Sequence, residues 1–167
     1  GANIVLAGTL VWGTGITNFG TITKRKTADE SVTSSTVLQD DEHLWFPIGA
    51  NEEWVADFDL DAGAALGTTG IKIAVTVPSG ATLNAIASAS AEMSTSEAHR
   101  TATSGTALDF TTADLPGGTN GLIRLSVWVL NGATPGNVTL QFAQSTSSAT
   151  AVTLRKGSHM TGATRVV

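Results

Sequence analysis

The sequence contains no cysteine and no tyrosine, and charged residues make up only 14% of its 167 positions. Without cysteine the chain has no disulfide, no thiol nucleophile and no cysteine-based metal site. No apolar run approaches the roughly 18 residues that a membrane-spanning helix needs. The first residues carry no basic segment and are interrupted by glycine and threonine, so they do not match a signal peptide. We therefore expect no membrane partner.

Basic residues are also few, and the formal net charge is −5. A nucleic-acid-binding surface needs Lys and Arg clustered on one face, which this scattered set does not supply. The three histidines, His43, His99 and His159, are isolated in the sequence and have no metal-binding spacing. The sequence therefore predicts no nucleic-acid partner, no metal site and no cofactor.

Gly, Ala, Ser and Thr fill the space that charged residues leave, and these residues suit strands and tight turns better than long helices. Apolar content is ordinary at 41%, so disorder is not expected. The length fits one domain that buries its own core, with a short appendage.

Apolar residues alternate with polar ones in several segments, which predicts half-buried strands. Three inward rows are Ile71, Ile73, Val75 and Val77; Trp54, Ala56, Phe58 and Leu60; and Ile123, Leu125, Val127 and Val129. The second face of residues 122–130 is half apolar, so we expect this strand to be central and covered on both sides.

Turn residues separate these runs at 48–51, 78–80, 116–121 and 131–137, as hairpins require. The alanine-rich segment 81–100 permits a helix, but its density of Ser and Thr favours strand plus loop. About eight to ten strands are expected, at the spacing of a sandwich or jelly roll. The predicted fold is all-β: an antiparallel, jelly-roll-like β-sandwich with an N-terminal β arm.

The first 25 residues differ from the remainder, because they contain no acidic residue and end in a basic cluster. We predict an arm or anchor at 1–25 and a sandwich domain at 26–167. The contact residues expected in the arm and its basic end are Leu10, Trp12, Phe19, Lys24, Arg25 and Lys26. The alternative is that residues 1–25 form the first hairpin of the sandwich.

Carboxylates occur in clusters, including Asp57, Asp59 and Asp61 on one face of a predicted strand. Paired carboxylates hydrolyse glycosides when they flank a cleft, but acids on a strand's solvent face are better explained as a soluble edge. The segment 57–63 also fails the spacing of a calcium-binding EF-hand loop. A weak cation site at a subunit contact stays open, and no catalytic residue is predicted.

Four tryptophans supply most of the large aromatic surface beside five phenylalanines. Trp54 lies on an apolar face and is expected in the core. Trp45 and Trp128 lie on the faces opposite their strands' main apolar rows. Packing in a strand covered on both sides is the default for these two, a subunit interface is the next reading, and a sugar-binding platform is the third.

Several motifs together resemble a module found in structural proteins of tailed bacteriophages. They are "KTADESVTSSTVLQDD" (26–41), "FPIGANE" (46–52), "GTNGLIR" (118–124), "VLNGATPGNVTLQFAQ" (129–144) and "GSHM" (157–160). The last also matches a common cloning scar, but it lies near the C-terminus and is interpreted as native sequence. The resemblance covers most of residues 26–167 and leaves 1–25 uncovered.

This resemblance implies a non-enzymatic β-sandwich on the virion surface, assembled in the bacterial host cytoplasm and often trimeric. Its expected partners are copies of itself and the major capsid or tail protein of the same particle. We predict a capsid (head) decoration protein, which a small complete gene product beginning at Gly1 would fit. The alternatives are a tail-fibre or tail-tip module that binds a receptor or host surface glycan, and a glycosidase.

Overall fold

Along most of the described strands, side chains alternate between the core and the solvent. The computed structural model describes residues 21–63, 66–91, 97–103, 105–114 and 120–166. The elements in these ranges are β1 (Thr21–Arg25), β2 (Glu30–Val32), β3 (Gln39–Ile48), β4 (Glu53–Gly63), α1 (Leu66–Thr69), β5 (Ile71–Thr76), β6 (Thr82–Ala91), β7 (Glu97–Thr103), β8 (Leu108–Phe110), β9 (Asn120–Leu130), β10 (Gly136–Gln144), β11 (Val152–Leu154) and β12 (His159–Val166). None of the described helical residues forms a helix long and apolar enough to cross a membrane.

The strands form two antiparallel sheets. The large sheet has the order β1-β12-β4-β9-β6-β7, with β11 and β2 paired beside it, and the small sheet has the order β3-β10-β5-β8. From β3 to β5 and again from β8 to β11 the chain changes sheet at every connection. This alternation is the path of a jelly roll, so the predicted all-β sandwich is confirmed. The β6–β7 hairpin is an addition that widens the large sheet beyond β9.

Two predicted hairpin turns prove to be corners between the sheets. Residues 48–51 lead from β3 in the small sheet to β4 in the large one, and residues 131–137 lead from β9 back to β10. The corners are tied together, because the Asn131 side-chain amide donates to the Gly49 carbonyl at 2.7 Å and the Asn51 amide donates to the Gly132 carbonyl at 2.8 Å. Turn residues in the sequence indicate that the chain reverses direction. They do not indicate which strand the next segment pairs with.

The core lies between the sheets and is lined by the inward rows that alternation predicts. Four of the five phenylalanines are fully buried: Phe46, Phe58, Phe110 and Phe142. Trp54 is also buried and packs against Phe46 with ring centroids 5.3 Å apart. Its predicted core position is confirmed.

The alanine-rich segment forms strands and not a helix. β6 pairs with β7 from Asn84 opposite Thr103 to Ser90 opposite Glu97, and β6 also pairs along β9. Alanines at 85, 87 and 89 face the core.

The C-terminal region runs as two strands along β4, joined by residues 155–158. β11 pairs with Ala62 and Gly63, whereas β12 pairs with the earlier residues of β4. Between them, the Arg155 amide donates to the Asp61 carbonyl at 2.9 Å. Residues 155–158 separate the two strands.

The predicted boundary after residue 25 does not separate β1 from the sandwich. β1 pairs with β12 and forms an edge of the large sheet, with Arg25 opposite His159. Residues 21–25 therefore belong to the sheet and not to a separate arm. Residues 1–20, including Leu10, Trp12 and Phe19, lie outside the described residues.

Candidate assembly surface

The outer face of the large sheet is a broad surface built from every second residue of β4, β9 and β6. Cross-strand pairing places Val55 beside Trp128 and Trp128 beside Asn84. The next row joins Asp57, Ser126 and Ile86. Neighbouring strands lie roughly 4.8 Å apart, so side chains in one row are in direct contact range.

One end of this face is apolar and exposed. We call the group Val55, Ile86, Trp128 and Leu130 the apolar patch. Ile86 is 60% exposed, Leu130 43% and Val55 38%. Trp128 is half-buried, and its indole N–H donates to Glu53 Oε1 at 2.6 Å. The N–H is therefore satisfied while part of the ring stays accessible.

The expectation that both faces of β9 are covered is therefore wrong within the described residues. β9 is central between β4 and β6, and its inward row is fully buried. In its outward row, however, Leu122 and Leu130 are more than two-fifths exposed. The half-apolar outer row therefore lies on an uncovered face of the sheet and not in a second core.

Beside the patch, from the row that Ile86 shares with Asp57, the face carries charged side chains and holds a shallow groove of about 320 Å³ lined in part by Asp57, Asp59, Arg124 and Thr161. Arg124 lies 3.3 Å from Asp59, and Ser126 Oγ donates to Asp57 at 2.5 Å. Ion pairs this exposed contribute only about 0–1 kcal/mol each. This arrangement agrees with the prediction that Asp57, Asp59 and Asp61 lie on the solvent-exposed face of their strand.

A second feature lies where the edges of the two sheets meet. The Lys24 ammonium sits 3.2 Å above the centroid of the Trp45 ring. Partial removal from water lowers the pKa of Lys24 from its ordinary value of 10.5, whereas the ring face attracts the cation. Trp45 is thus half-buried beneath a lysine, and its ring is not an open sugar-binding platform.

Lys26 differs from its predicted role at the exposed end of the arm. Its side chain is completely buried, and its ammonium contacts the buried Asp41 carboxylate and lies 2.8 Å from Glu30 Oε2. An ammonium enclosed in this way cannot pair with acidic groups of another protein. Arg25, by contrast, is exposed and stays available for such a contact.

Glu30, Asp41 and His43 bring possible ligand atoms within 4.8 Å of one another. The Lys26 ammonium already lies among the two carboxylates, and His43 Nε2 lies 3.1 Å from the Thr27 hydroxyl. An internal cation therefore already contacts both carboxylates of the cluster. Sequence reasoning missed it, although the spacing of Lys26 and Glu30 and the pair Asp40-Asp41 were visible signals.

Comparisons with known proteins give weak structural likenesses. No family model matches the chain, and no curated protein matches it. Among solved structures, the chain is similar to one titled "Structure of infectious bursal disease virus Gt strain", with 14% identity, a TM-score of 0.21, and coverage of 96% of this chain and 44% of that one. A structure of the Gx strain gives 12% identity and a TM-score of 0.22 over 96% of this chain and 45% of that one.

A third likeness is to "Crystal structure of infectious bursal disease virus VP2 subviral particle", with 14% identity, a TM-score of 0.21, and coverage of 88% of this chain and 42% of that one. The chain thus spans less than half the length of each of these proteins. At such TM-scores the likeness carries no argument about function.

Proposed function

We propose that this chain is a non-enzymatic structural protein of a bacteriophage particle, a capsid decoration protein held on the head surface. The observation that carries the proposal is the open outer face of the large sheet with its apolar patch. The motifs shared with phage structural modules supply the biological setting, and the jelly-roll path suits a rigid unit of a shell.

The apolar patch has the composition of an interface core. Large apolar side chains that are contiguous and exposed mark contact sites more often than free surface. Tryptophan is enriched at such contacts, and the charged residues near Asp59 and Arg124 fit the polar rim that surrounds them. We propose that copies of this chain associate through this face into a homotrimer, and that the trimer binds the major capsid protein.

The test uses particles produced by the phage that encodes the chain. Gradient-purified particles are analysed by mass spectrometry for this protein, and an electron-microscopy map locates it. Density for the sandwich at symmetry-related positions on the head is the expected result. Absence of the chain from purified particles, or density confined to the tail, would overturn the decoration proposal.

A tail-fibre or tail-tip module that binds a receptor or host glycan is the second candidate. It is favoured by the groove beside Asp57 and Arg124, which lies on the same face as Trp128. Sugar sites combine a few convergent polar groups with an apolar platform. A glycan array with the wild type, Trp128→Ala and Trp45→Ala tests this candidate. If this candidate is correct, Trp128→Ala should abolish glycan binding. Trp45→Ala should not change it, since Trp45 is covered by Lys24.

A further inference from the structure

Three chemically matched side chains meet at the edge of the sandwich. Lys26 follows β1, Glu30 begins β2, and Asp41 lies in β3, so three segments converge here. The side chains of Lys26 and Asp41 are both fully buried, and that of Glu30 is 20% exposed. An amine and a carboxyl group are thus held in direct contact, out of water, with a second carboxylate beside them.

Each oxygen of Asp41 has a distinct set of partners. Oδ1 accepts hydrogen bonds from the backbone amides of His43 at 2.9 Å and Leu44 at 2.8 Å. Oδ2 contacts Lys26 Nζ. The same Nζ lies 2.8 Å from Glu30 Oε2, which also accepts the Glu42 amide at 3.2 Å. Two N–H groups therefore polarise the carboxyl at Oδ1, while Oδ2 contacts the amine, which in turn contacts Glu30.

We propose that Lys26 and Asp41 condense after folding into an intramolecular amide bond, with Glu30 transferring the protons. In the reacting state the pair holds a neutral amine and a carboxylic acid, which differ from the ion pair only by a proton passed from Nζ to the carboxyl. Nζ attacks Asp41 Cγ, and a tetrahedral intermediate forms with its negative charge on Oδ1. Glu30 takes a proton from Nζ and delivers it to Oδ2, which leaves as water. One N–C bond forms, one C–O bond breaks, and no oxidant or other reagent is required.

The environment favours this step in three ways. Holding the reacting groups in contact is equivalent to an effective concentration that reaches about 10⁵–10⁸ M in well-oriented cases. The amides of His43 and Leu44 are placed to stabilise the oxyanion as it develops. A buried ion pair carries a large desolvation cost, and condensation removes both charges at once.

The product also leaves the polar atoms of the site satisfied. Oδ1 becomes the amide oxygen and keeps its two backbone donors, while the new amide N–H keeps Glu30 as its acceptor. The released water departs from the Oδ2 position, where the carboxyl no longer needs a partner. The ion pair in the structure is thus arranged as the reactant of this condensation.

The chain contains its own control pair. Lys72 Nζ lies 3.9 Å from Asp109 Oδ2, and the two side chains are 24% and 40% exposed. This pair is accessible to solvent, and its nitrogen and oxygen are farther apart than those of Lys26 and Asp41, so condensation is not expected there. A linkage specific to Lys26 and Asp41 therefore distinguishes chemistry of the buried site from nonspecific dehydration.

The first test is intact-mass measurement of the full chain under denaturing conditions, followed by digestion after glutamate. Cleavage after Glu30 and Glu42 separates Lys26 from Asp41 unless an amide bond joins the two peptides. A mass lower by one water and a joined peptide pair 1–30 with 31–42 are the expected results. An intact mass equal to that of the sequence overturns the proposal. So does a water loss without the joined pair, as a succinimide would give.

The second test separates catalysis by Glu30 from the contact itself. Glu30→Gln keeps the shape of the side chain but cannot transfer the protons, so we expect a folded protein with the unmodified mass. Trypsin should then cleave after Lys26, whereas it should not do so in the wild type. Asp109→Asn, in the exposed control pair, should leave the water loss unchanged. A Glu30→Gln protein that condenses as completely as the wild type contradicts the assigned role of Glu30.

Discussion

Gln144 is a buried polar side chain whose removal should destabilise the protein measurably. It is fully buried at the end of β10. Its Oε1 accepts the amides of Ser35 at 3.2 Å and Ser148 at 3.0 Å. Its Nε2 donates to the carbonyls of Ser148 at 3.0 Å and Thr150 at 2.6 Å. One side chain thus holds two loops together through four bonds to the backbone.

Gln144→Leu keeps the approximate volume but leaves all four backbone groups without this partner. A buried group without a partner costs about 1–3 kcal/mol. Ser148 and Thr150 are half-buried or exposed, so water can replace part of the loss. We therefore expect the free energy of unfolding to fall by about 2–4 kcal/mol. For a chain of this size that lowers Tm by roughly 5–15 °C.

Urea denaturation followed by tryptophan fluorescence measures this change. Gln141→Leu is the matched control, since Gln141 lies in the same strand but makes one exposed hydrogen bond to Asp40, at 2.7 Å. It should change the free energy of unfolding by less than about 1 kcal/mol. If the two variants fall within about 0.5 kcal/mol of each other, the reasoning about Gln144 is wrong.

Three further predictions concern the surface, the N-terminal segment and Lys24. Ile86→Lys places a charge in the apolar patch, so it should convert the trimer to monomer in sedimentation equilibrium at micromolar concentration. Val37→Lys, at another exposed apolar position, should leave the trimer intact. Deletion of residues 2–20 keeps β1 intact and should leave the protein folded but unable to attach to particles; melting or aggregation would mean that this segment is core. Burial lowers the pKa of Lys24, so folding releases protons below pH 10.5, and the free energy of unfolding should rise as pH increases towards that value. Lys24→Gln should lose this rise in denaturant titrations across alkaline pH, and parallel profiles for the two proteins would refute it.

The strands could be predicted because a period of two is a direct consequence of a sheet with one face buried. The rows that include Phe58, Ile73 and Leu125 alternate with their neighbours in the sequence, and the same residues are buried in the folded protein. The partner of each strand is not encoded in the same way. Pairing between β2 and β11 joins residues more than a hundred positions apart, and no local pattern specifies it.

The candidate surface was only partly predictable. The apolar outer row of β9 is recognisable in the sequence, but whether another layer covers it depends on tertiary packing.

The sequence predicts an exposed charge at Lys26 because lysine is almost never fully buried unless it is paired. Its partner Asp41 could not be identified locally, since the contact forms only when β1 and β3 meet at the sandwich edge.

The pairing of the first described strands with the last ones also determines when the protein can fold. Ser31 meets Thr153 across 122 positions, and the backbone of Lys26 bonds to that of Ser158. A nascent chain emerging from the ribosome therefore holds β1 and β2 as unpaired edges until β11 and β12 have been synthesised. High contact order of this kind slows folding and prolongs the time during which open strand edges can aggregate. The short-range β6–β7 hairpin needs no such wait and can form while the rest of the large sheet is incomplete.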